Sequence, residues 1–278
     1  MKLTIARFFE IDNPLIKYSK NITSQDGEDG VIEHIIKTIA PENSYCVEFG
    51  AWDGKYCSNC FNLIEHGGWS GAMIEANSEK YKELVQTYAS NVKVSCVNKF
   101  VQFDSPNSLD DILDEVQAPE NLGVLSIDID GNDYHVWESL KRYHPELVVI
   151  EFNPTVPNDV IFVQERAHHI TQGCSLLALI LLGREKGYEL VCCTRWNAFF
   201  VKKEKYSLFG IQDNLIFRMY TPIQDGRIFQ GYDSYIHVTG FDRLVWKGRI
   251  PVSSENFQIM EKEQRVFSDV QTLPRDAT

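Results

Sequence analysis

From residue 44 onward the chain alternates short apolar runs with segments whose apolar residues recur at helical spacing. Runs at 45–50 (YCVEFG), 71–76 (GAMIEA), 92–97 (VKVSCV), 123–129 (GVLSIDI) and 147–152 (LVVIEF) read as buried strands. Between them, SEKYKELVQTY from Ser78, SLDDILDEV from Ser108 and DYHVWESLKRY from Asn132 or Asp133 read as helices, each opened by a short polar residue suited to an N-cap. A segment from about 162 to 186, closed by Gly187, predicts the helix after the fifth strand, and QDGEDGVIEHIIKTI predicts a helical lead-in.

After Gly187, YELVCCT and AFFVK read as two β segments joined by a tight turn at Arg195-Trp196-Asn197. Alternating strands and helices predict a parallel sheet with crossover helices, and the hairpin adds an antiparallel end. The expected fold is therefore α/β: a seven-stranded, Rossmann-like sheet of the methyltransferase layout, mostly parallel, with a terminal antiparallel hairpin and helices on both faces. The expected organisation is a helical lead-in over 1–43, the sheet domain over 44–205, and a C-terminal extension over 206–278 serving as substrate cover or interaction surface.

Composition narrows the partners. Apolar residues make up 44% and charged residues 24% of the 278, as in a core-forming globular chain. A net charge of -12 opposes a phosphate-tracking surface, so nucleic acid is not expected as a partner. The apolar run from Cys174 to Gly183 is half of the roughly 20 residues that a bilayer span needs, so no membrane span is expected. Arg7, Glu10 and Asp12 interrupt the N-terminal apolar residues, which leaves no signal-peptide core and points to the cytoplasm. Seven cysteines with a single C-x-x-C, at Cys57 and Cys60, read as reduced thiols rather than a zinc site.

The first strand runs into Val47-Glu48-Phe49-Gly50-Ala51-Trp52-Asp53-Gly54, an E-x-G-x-x-x-G pattern where ligands of open α/β sheets bind. The dinucleotide fingerprint is absent, and Glu48 and Asp53 would repel a pyrophosphate there. A cationic cofactor fits better. For S-adenosylmethionine, Glu48 would neutralise the amino group, backbone N–H groups near Gly50 would hold the carboxylate, and Gly54 would complete the loop. Asp53 reads equally as a turn-former. Glu75, ending the second strand, is placed to accept the ribose hydroxyls, with a capping role as the alternative. Asn98, beyond the third strand, is a candidate for the adenine edge or for a loop turn.

The stretch Leu125–Asp133, LSIDIDGND, concentrates three acids around one glycine. Its spacing misses the calcium-loop pattern. The D-x-D-G of haloacid-dehalogenase-type phosphatases matches locally but falls on the fourth strand without the downstream acidic pair, so phosphatase remains a minor alternative. Taken in order, SQDGEDG, VEFGAWDG, GAMIEAN, LSIDIDGNDYHVW and VVIEFNP resemble the FkbM-like branch of S-adenosylmethionine-dependent methyltransferases, over about residues 24–203. The sequence departs from the commoner family form in carrying Asp-Ile-Asp-Gly-Asn-Asp where many members have an acid-glycine pair, then a small residue and an acid. The resemblance implies methylation of a hydroxyl on a sugar, glycan or related small metabolite, and it brings Gln25 toward the cofactor, with an exposed cap as the equal alternative. A cofactor-binding protein without turnover is the competing class, and a homodimer is left open.

Asp128 and Asp130 would share a face if the fourth strand extends that far, beside Glu151 and Asn153 on the fifth. Two readings follow. In one, Asp128, Glu151 and Asn153 hold a divalent ion such as Mg²⁺ or Mn²⁺, and Asp130 or His135 takes the acceptor's proton. In the other, without metal, Asp128 meets the donor's ammonium and Asp130 is the base. Asp130 and Asp133 are also candidates to cap the following helix, and His168 and His169 are weaker bases.

Overall fold

The expected apolar runs form β1 (Tyr45–Phe49), β2 (Ser70–Glu75), β3 (Val94–Asn98), β4 (Val124–Ile127) and β5 (Leu147–Glu151), each within two residues of the predicted bounds. They appear in a computed structural model that describes residues 11–223, 226–230 and 236–240. The first ten residues of the predicted lead-in and much of the predicted extension lie outside the described residues. The chain divides into two compact units, Met1–Thr221 and Pro222–Thr278.

In the first unit, β6 (Tyr188–Cys193) and β7 (Asn197–Lys202) complete a seven-stranded sheet of order β3-β2-β1-β4-β5-β7-β6. Strands β1 to β5 pair in parallel, whereas β7 runs antiparallel to both β5 and β6. The hairpin turn closes as Thr194 N–H donates to Asn197 O at 2.9 Å. The predicted fold class is thus the observed one.

Side chains alternate between two cores, as the period of two along a strand requires. Val47, Phe49, Ile74, Leu125, Ile127, Val148 and Ile150 face α4 (Leu109–Glu115), α5 (Asp133–Ser139) and α6 (Leu176–Glu185). Cys46, Met73, Val124, Leu147 and Val149 face α1 (Glu28–Ile39), α2 (Phe61–Glu65) and α3 (Ser78–Thr87). The sheet is covered on both sides. A short α7 (Ile216–Met219) ends the described part of this unit. In the second unit, β8 (Gly226–Gln230) and β9 (Ile236–Gly240) pair antiparallel.

Caps set the helix starts. Ser108 opens α4 with a full capping box to Asp111, as its sequence suggests. At α3 the cap is Asn77, whose Oδ1 accepts from Glu79 N and Lys80 N, so Ser78 is the first helical residue instead. The predicted helix over 162–186 is too long: α6 begins only at Leu176, capped by Ser175, after Gly173 in the left-handed region at φ +72°. Residues 153–175 before it are irregular, apart from an isolated bridge between Val163 and Cys174. No described helix is long and apolar enough to cross a membrane.

Candidate active site

A cleft of about 260 Å³ opens at the carboxyl ends of β1, β2 and β4, where the strand order reverses between β1 and β4. Chains in an open α/β sheet diverge at this switch point, which leaves room for a ligand. At its base, Gly50 takes φ +75°, and a Cβ there would sit 1.8 Å from the carbonyl oxygen of Asp128. Only glycine permits that approach of the β1 and β4 loops. Two non-glycine residues of the lining also hold left-handed backbones, Trp52 at φ +50° and Asp130 at φ +57°. Such strain concentrates where function fixes a conformation.

Glu75 is 6% exposed and lines the cleft from the tip of β2. Its Oε2 accepts from Trp52 N at 2.8 Å and its Oε1 from Asn77 N at 2.6 Å, so it ties the β1 loop to the β2 loop. Lone pairs remain for a ligand, since an ionised carboxylate has about four. The Trp52 ring, 44% exposed, carries Lys80 Nζ over its face at 4.7 Å.

Asp128 behaves differently. Its half-buried carboxylate lines the cleft and makes no hydrogen bond with any described residue. Loss of water pushes its carboxyl well up, and Asp133, Asp130, Glu48 and Glu28 push it further the same way. Asp133 is also raised by burial, although its carboxylate accepts from Ile129 N and Gly131 N at 2.9 Å each. These bonds hold the turn upstream of α5. They show that Asp133 organises the loop rather than capping its own helix, while exposed Asp130 stands at the mouth.

Of the predicted site residues, Gly50, Glu75, Asp128 and Asp130 line this cleft. The shared face expected for Asp128 and Asp130 does not form, because β4 stops at Ile127 and Asp130 turns left-handed. Glu48 falls with Cys46 on the side of the sheet that faces α1, α2 and α3, where it accepts from Ser58 Oγ at 2.5 Å and Asn59 N at 2.7 Å. Burial raises its carboxyl to about 7. Asp53 Oδ1 caps its own turn through Lys55 N and Tyr56 N. A Cβ on Gly54 would meet Leu84 and Tyr88, so this glycine serves packing on α3. Asn98 binds the β2–α3 turn, donating to Glu75 O at 2.7 Å and accepting from Ser78 Oγ. The Gln25 backbone carbonyl accepts from Asn21 Nδ2.

His135, 9% exposed, places Nε2 2.9 Å from Gln164 O and packs against Phe103, outside the cleft lining. His168 lines the cleft instead, stacked on Phe103 with ring centroids 4.8 Å apart. For the divalent ion, Asn153 Oδ1 is taken by Thr155 N and Oγ1, and its Nδ2 donates to Gln172 O. Glu151 pairs in register with Asn197 of β7. Among the described residues no group of three or more His, Cys, Asp or Glu could hold a metal. All seven cysteines, including Cys57 and Cys60, are free thiols.

The sequence reading also missed part of the wall. Trp52 was inside a quoted motif, but Lys99 and Phe100 after β3 and Ile170 and Thr171 before α6 carried no local signal. Lys99 is ion-paired with Glu115. With Glu75, Asp128 and Asp130 opposite, the lining favours a cation over an anion.

No protein-family model matches this sequence, and no curated protein matches it. Among solved structures it is similar to an O-methyltransferase family protein from Burkholderia thailandensis, at 11% identity over 62% of this chain and 55% of that one, with a TM-score of 0.44. It is similar also to the N-terminal domain of EvdMO1 with SAH bound, at 10% identity over 64% and 80% of the two chains, TM-score 0.42. A third is M. capricolum TrmK in complex with S-adenosyl-homocysteine, at 12% identity over 61% and 67%, TM-score 0.36. The match spans little more than half the length of the first of these. Independently of them, strand order and the antiparallel β7 define the Rossmann-like sheet of class I methyltransferases.

Proposed function

We propose that the protein is an S-adenosylmethionine-dependent O-methyltransferase of the FkbM-like branch, acting on a hydroxyl of a sugar, glycan or related small metabolite. The observation that carries this reading is Asp128, a desolvated carboxylate without a hydrogen-bond partner among the described residues, at the switch point of the sheet. A carboxylate held there without an internal cation gains most from a ligand that brings one. S-adenosylmethionine fits this lining, because it carries an ammonium and a sulfonium and its ribose offers hydroxyls to Glu75. When bound it supplies an electrophilic methyl group.

The protein's part is to hold and orient. Gly50 opens the backbone for close approach, Glu75 accepts hydroxyls while anchored by two amides, and Asp128 meets positive charge. Asp130, exposed at the mouth, takes the acceptor's proton, and His168 on the facing wall is the other group able to do so. Ile170 and Thr171 narrow the cleft and limit water.

S-adenosylhomocysteine at 100 times its dissociation constant should stabilise the fold by about 2.7 kcal/mol and raise the Tm by several degrees, and NAD should not. Labelled donor with a panel of sugar nucleotides, glycans and small alcohols then tests turnover. Absence of any shift with donor or product at millimolar concentration would overturn the reading; binding without transfer to any acceptor would favour a non-catalytic binder.

A further inference from the structure

The irregular connection between β5 and α6 is organised around one side chain. Gln164 is 2% exposed. Its Nε2 donates to Asn132 Oδ1 at 3.0 Å and to Ile170 O at 2.8 Å, and its Oε1 accepts from Gln172 N and Gly173 N at 2.8 Å each. Both N–H groups and both lone pairs are used, which saturates a carboxamide. Its backbone joins in: Gln164 N donates to Gly173 O at 3.0 Å, and Gln164 O lies 2.9 Å from His135 Nε2.

The bonds to Asn132 and His135 cross a seam. On one side lies the turn after β4, whose Asp128, Asp130 and Asn132 line the cleft; on the other lies the segment whose His168, Ile170 and Thr171 form the facing wall. Asn132 Nδ2 returns a bond to Ala167 O at 3.2 Å. Gly131 allows the closure, since a Cβ there would stand 2.9 Å from Gln164 Oε1 and 3.0 Å from Ile170 O. Three of the four side-chain bonds shape the 164–173 loop, and the fourth, to Asn132, fixes its distance from the acidic turn.

We propose that Gln164 is a positioning residue that locks the 165–173 wall to the Asp128–Asp133 turn and so sets the width of the cleft. Its role in methyl transfer rests on the methyltransferase reading; the lock itself does not. Gln164→Glu separates the two functions of the carboxamide. The carboxylate keeps the acceptors for Gln172 N and Gly173 N but turns oxygen toward Asn132 Oδ1 and Ile170 O. Protonation restores one donor, and burial favours the protonated form.

The test compares Q164E with the native full chain at pH 8 and pH 5.5. By hydrogen exchange, peptides covering 128–133 and 165–173 should lose protection together at pH 8 and regain it at pH 5.5. By calorimetry, S-adenosylhomocysteine affinity should fall about tenfold at pH 8 and return to within about threefold of native at pH 5.5, the range expected for losing buried hydrogen bonds. Loss of protection confined to 165–173, or an affinity ratio that ignores pH, would overturn the proposal. If Q164E fails to fold at pH 8, Asn132→Ala removes both bonds that Asn132 makes across the seam, to Gln164 and to Ala167, and Asn132→Asp keeps an oxygen for Gln164 Nε2 while losing the donor to Ala167 O; the first should loosen 165–173 and the second much less, and an unchanged wall in Asn132→Ala, or equal loosening in both, would equally overturn it. Should the native chain bind no S-adenosylhomocysteine, the methyltransferase reading fails while the exchange result still decides the lock.

Discussion

Glu75 ends β2 and Asp128 follows β4, the two strands that flank β1, and both line one cleft, yet they are held in opposite ways. Two backbone amides replace the water that Glu75 lost, and they fix its carboxylate in place. Nothing described replaces the water around Asp128, and its carboxyl is driven up. The first acid is preorganised to receive a neutral, hydroxyl-bearing group. The second stores a desolvation cost that a cation would relieve. A single loop edge thus separates a rigid acceptor from a charge-seeking one, and the separation runs through Gly50.

The largest effect should come from Gly50→Ala, which attacks the hinge between the two acids. A left-handed backbone and a Cβ 1.8 Å from Asp128 O together should cost about 3 kcal/mol or more, read as a lower midpoint in urea. A variant as stable as the native protein would mean that the two loops are not in contact as described.

Next in size is the dependence on pH. Glu48 beneath the cleft has its carboxyl raised from 4.5 to about 7 by burial. In this window the folded chain keeps a proton that the unfolded chain has released, so the stabilisation is complete below about 4.5 and is lost as pH rises through about 7. The loss should be on the order of 3 kcal/mol, and Asp128 acts in the same direction. Glu48→Gln should flatten the Glu48 part, and Asp128→Asn the part due to Asp128, in denaturation curves taken between pH 5 and 8. Binding of a cationic donor should release protons in the native protein and fewer in Asp128→Asn, measured as a buffer-dependent calorimetric enthalpy. Equal proton release in both would separate Asp128 from the bound charge.

The sheet was legible because buried strands are continuous apolar runs between turn residues, and the hairpin because β6 and β7 are adjacent in sequence. Glu48 could have been placed by the same logic: two residues after Cys46, it shares that residue's side of the sheet, toward α1, α2 and α3, and not the cleft lining. His135 lies outside the cleft lining, because its helix turns its Nε2 to Gln164 O. The wall at 165–173 was not legible at all, since its order comes from Gln164 reaching Asn132, 32 residues away, and no local period records such a bond. Asp130 and Trp52 were visible as residues, but their left-handed backbones are imposed by the surrounding packing.

Glu75→Ala sharpens the comparison from the other side. The affinity for S-adenosylhomocysteine should fall about tenfold, as expected for losing charge-assisted hydrogen bonds to a diol. The variant should also lose roughly 1–3 kcal/mol of stability, because Trp52 N and Asn77 N lose their acceptor. Glu75→Gln keeps one oxygen and should lie between. Unchanged affinity in a folded Glu75→Ala protein would move the ribose contact to another group of the cleft.

The smallest effect should come from Asp53, the acid that shares the β1 loop with Trp52 but not the cleft. Its Oδ1 accepts from Lys55 N at 2.9 Å and Tyr56 N at 2.7 Å, the geometry of a side chain closing its own turn. Those amides lie in exposed residues and can turn to water when the carboxylate is removed. Asp53→Ala should therefore cost about 0.5–1 kcal/mol, as loss of a turn or cap bond does, and should leave S-adenosylhomocysteine affinity within about twofold of native. Asp53→Asn should restore the stability, since an amide oxygen accepts the same two bonds. If instead Asp53→Ala weakened ligand binding as much as Glu75→Ala while Asp53→Asn did not rescue it, charge at the loop rather than at the strand tips would govern recognition, and the contrast between Glu75 and Asp128 would lose its meaning.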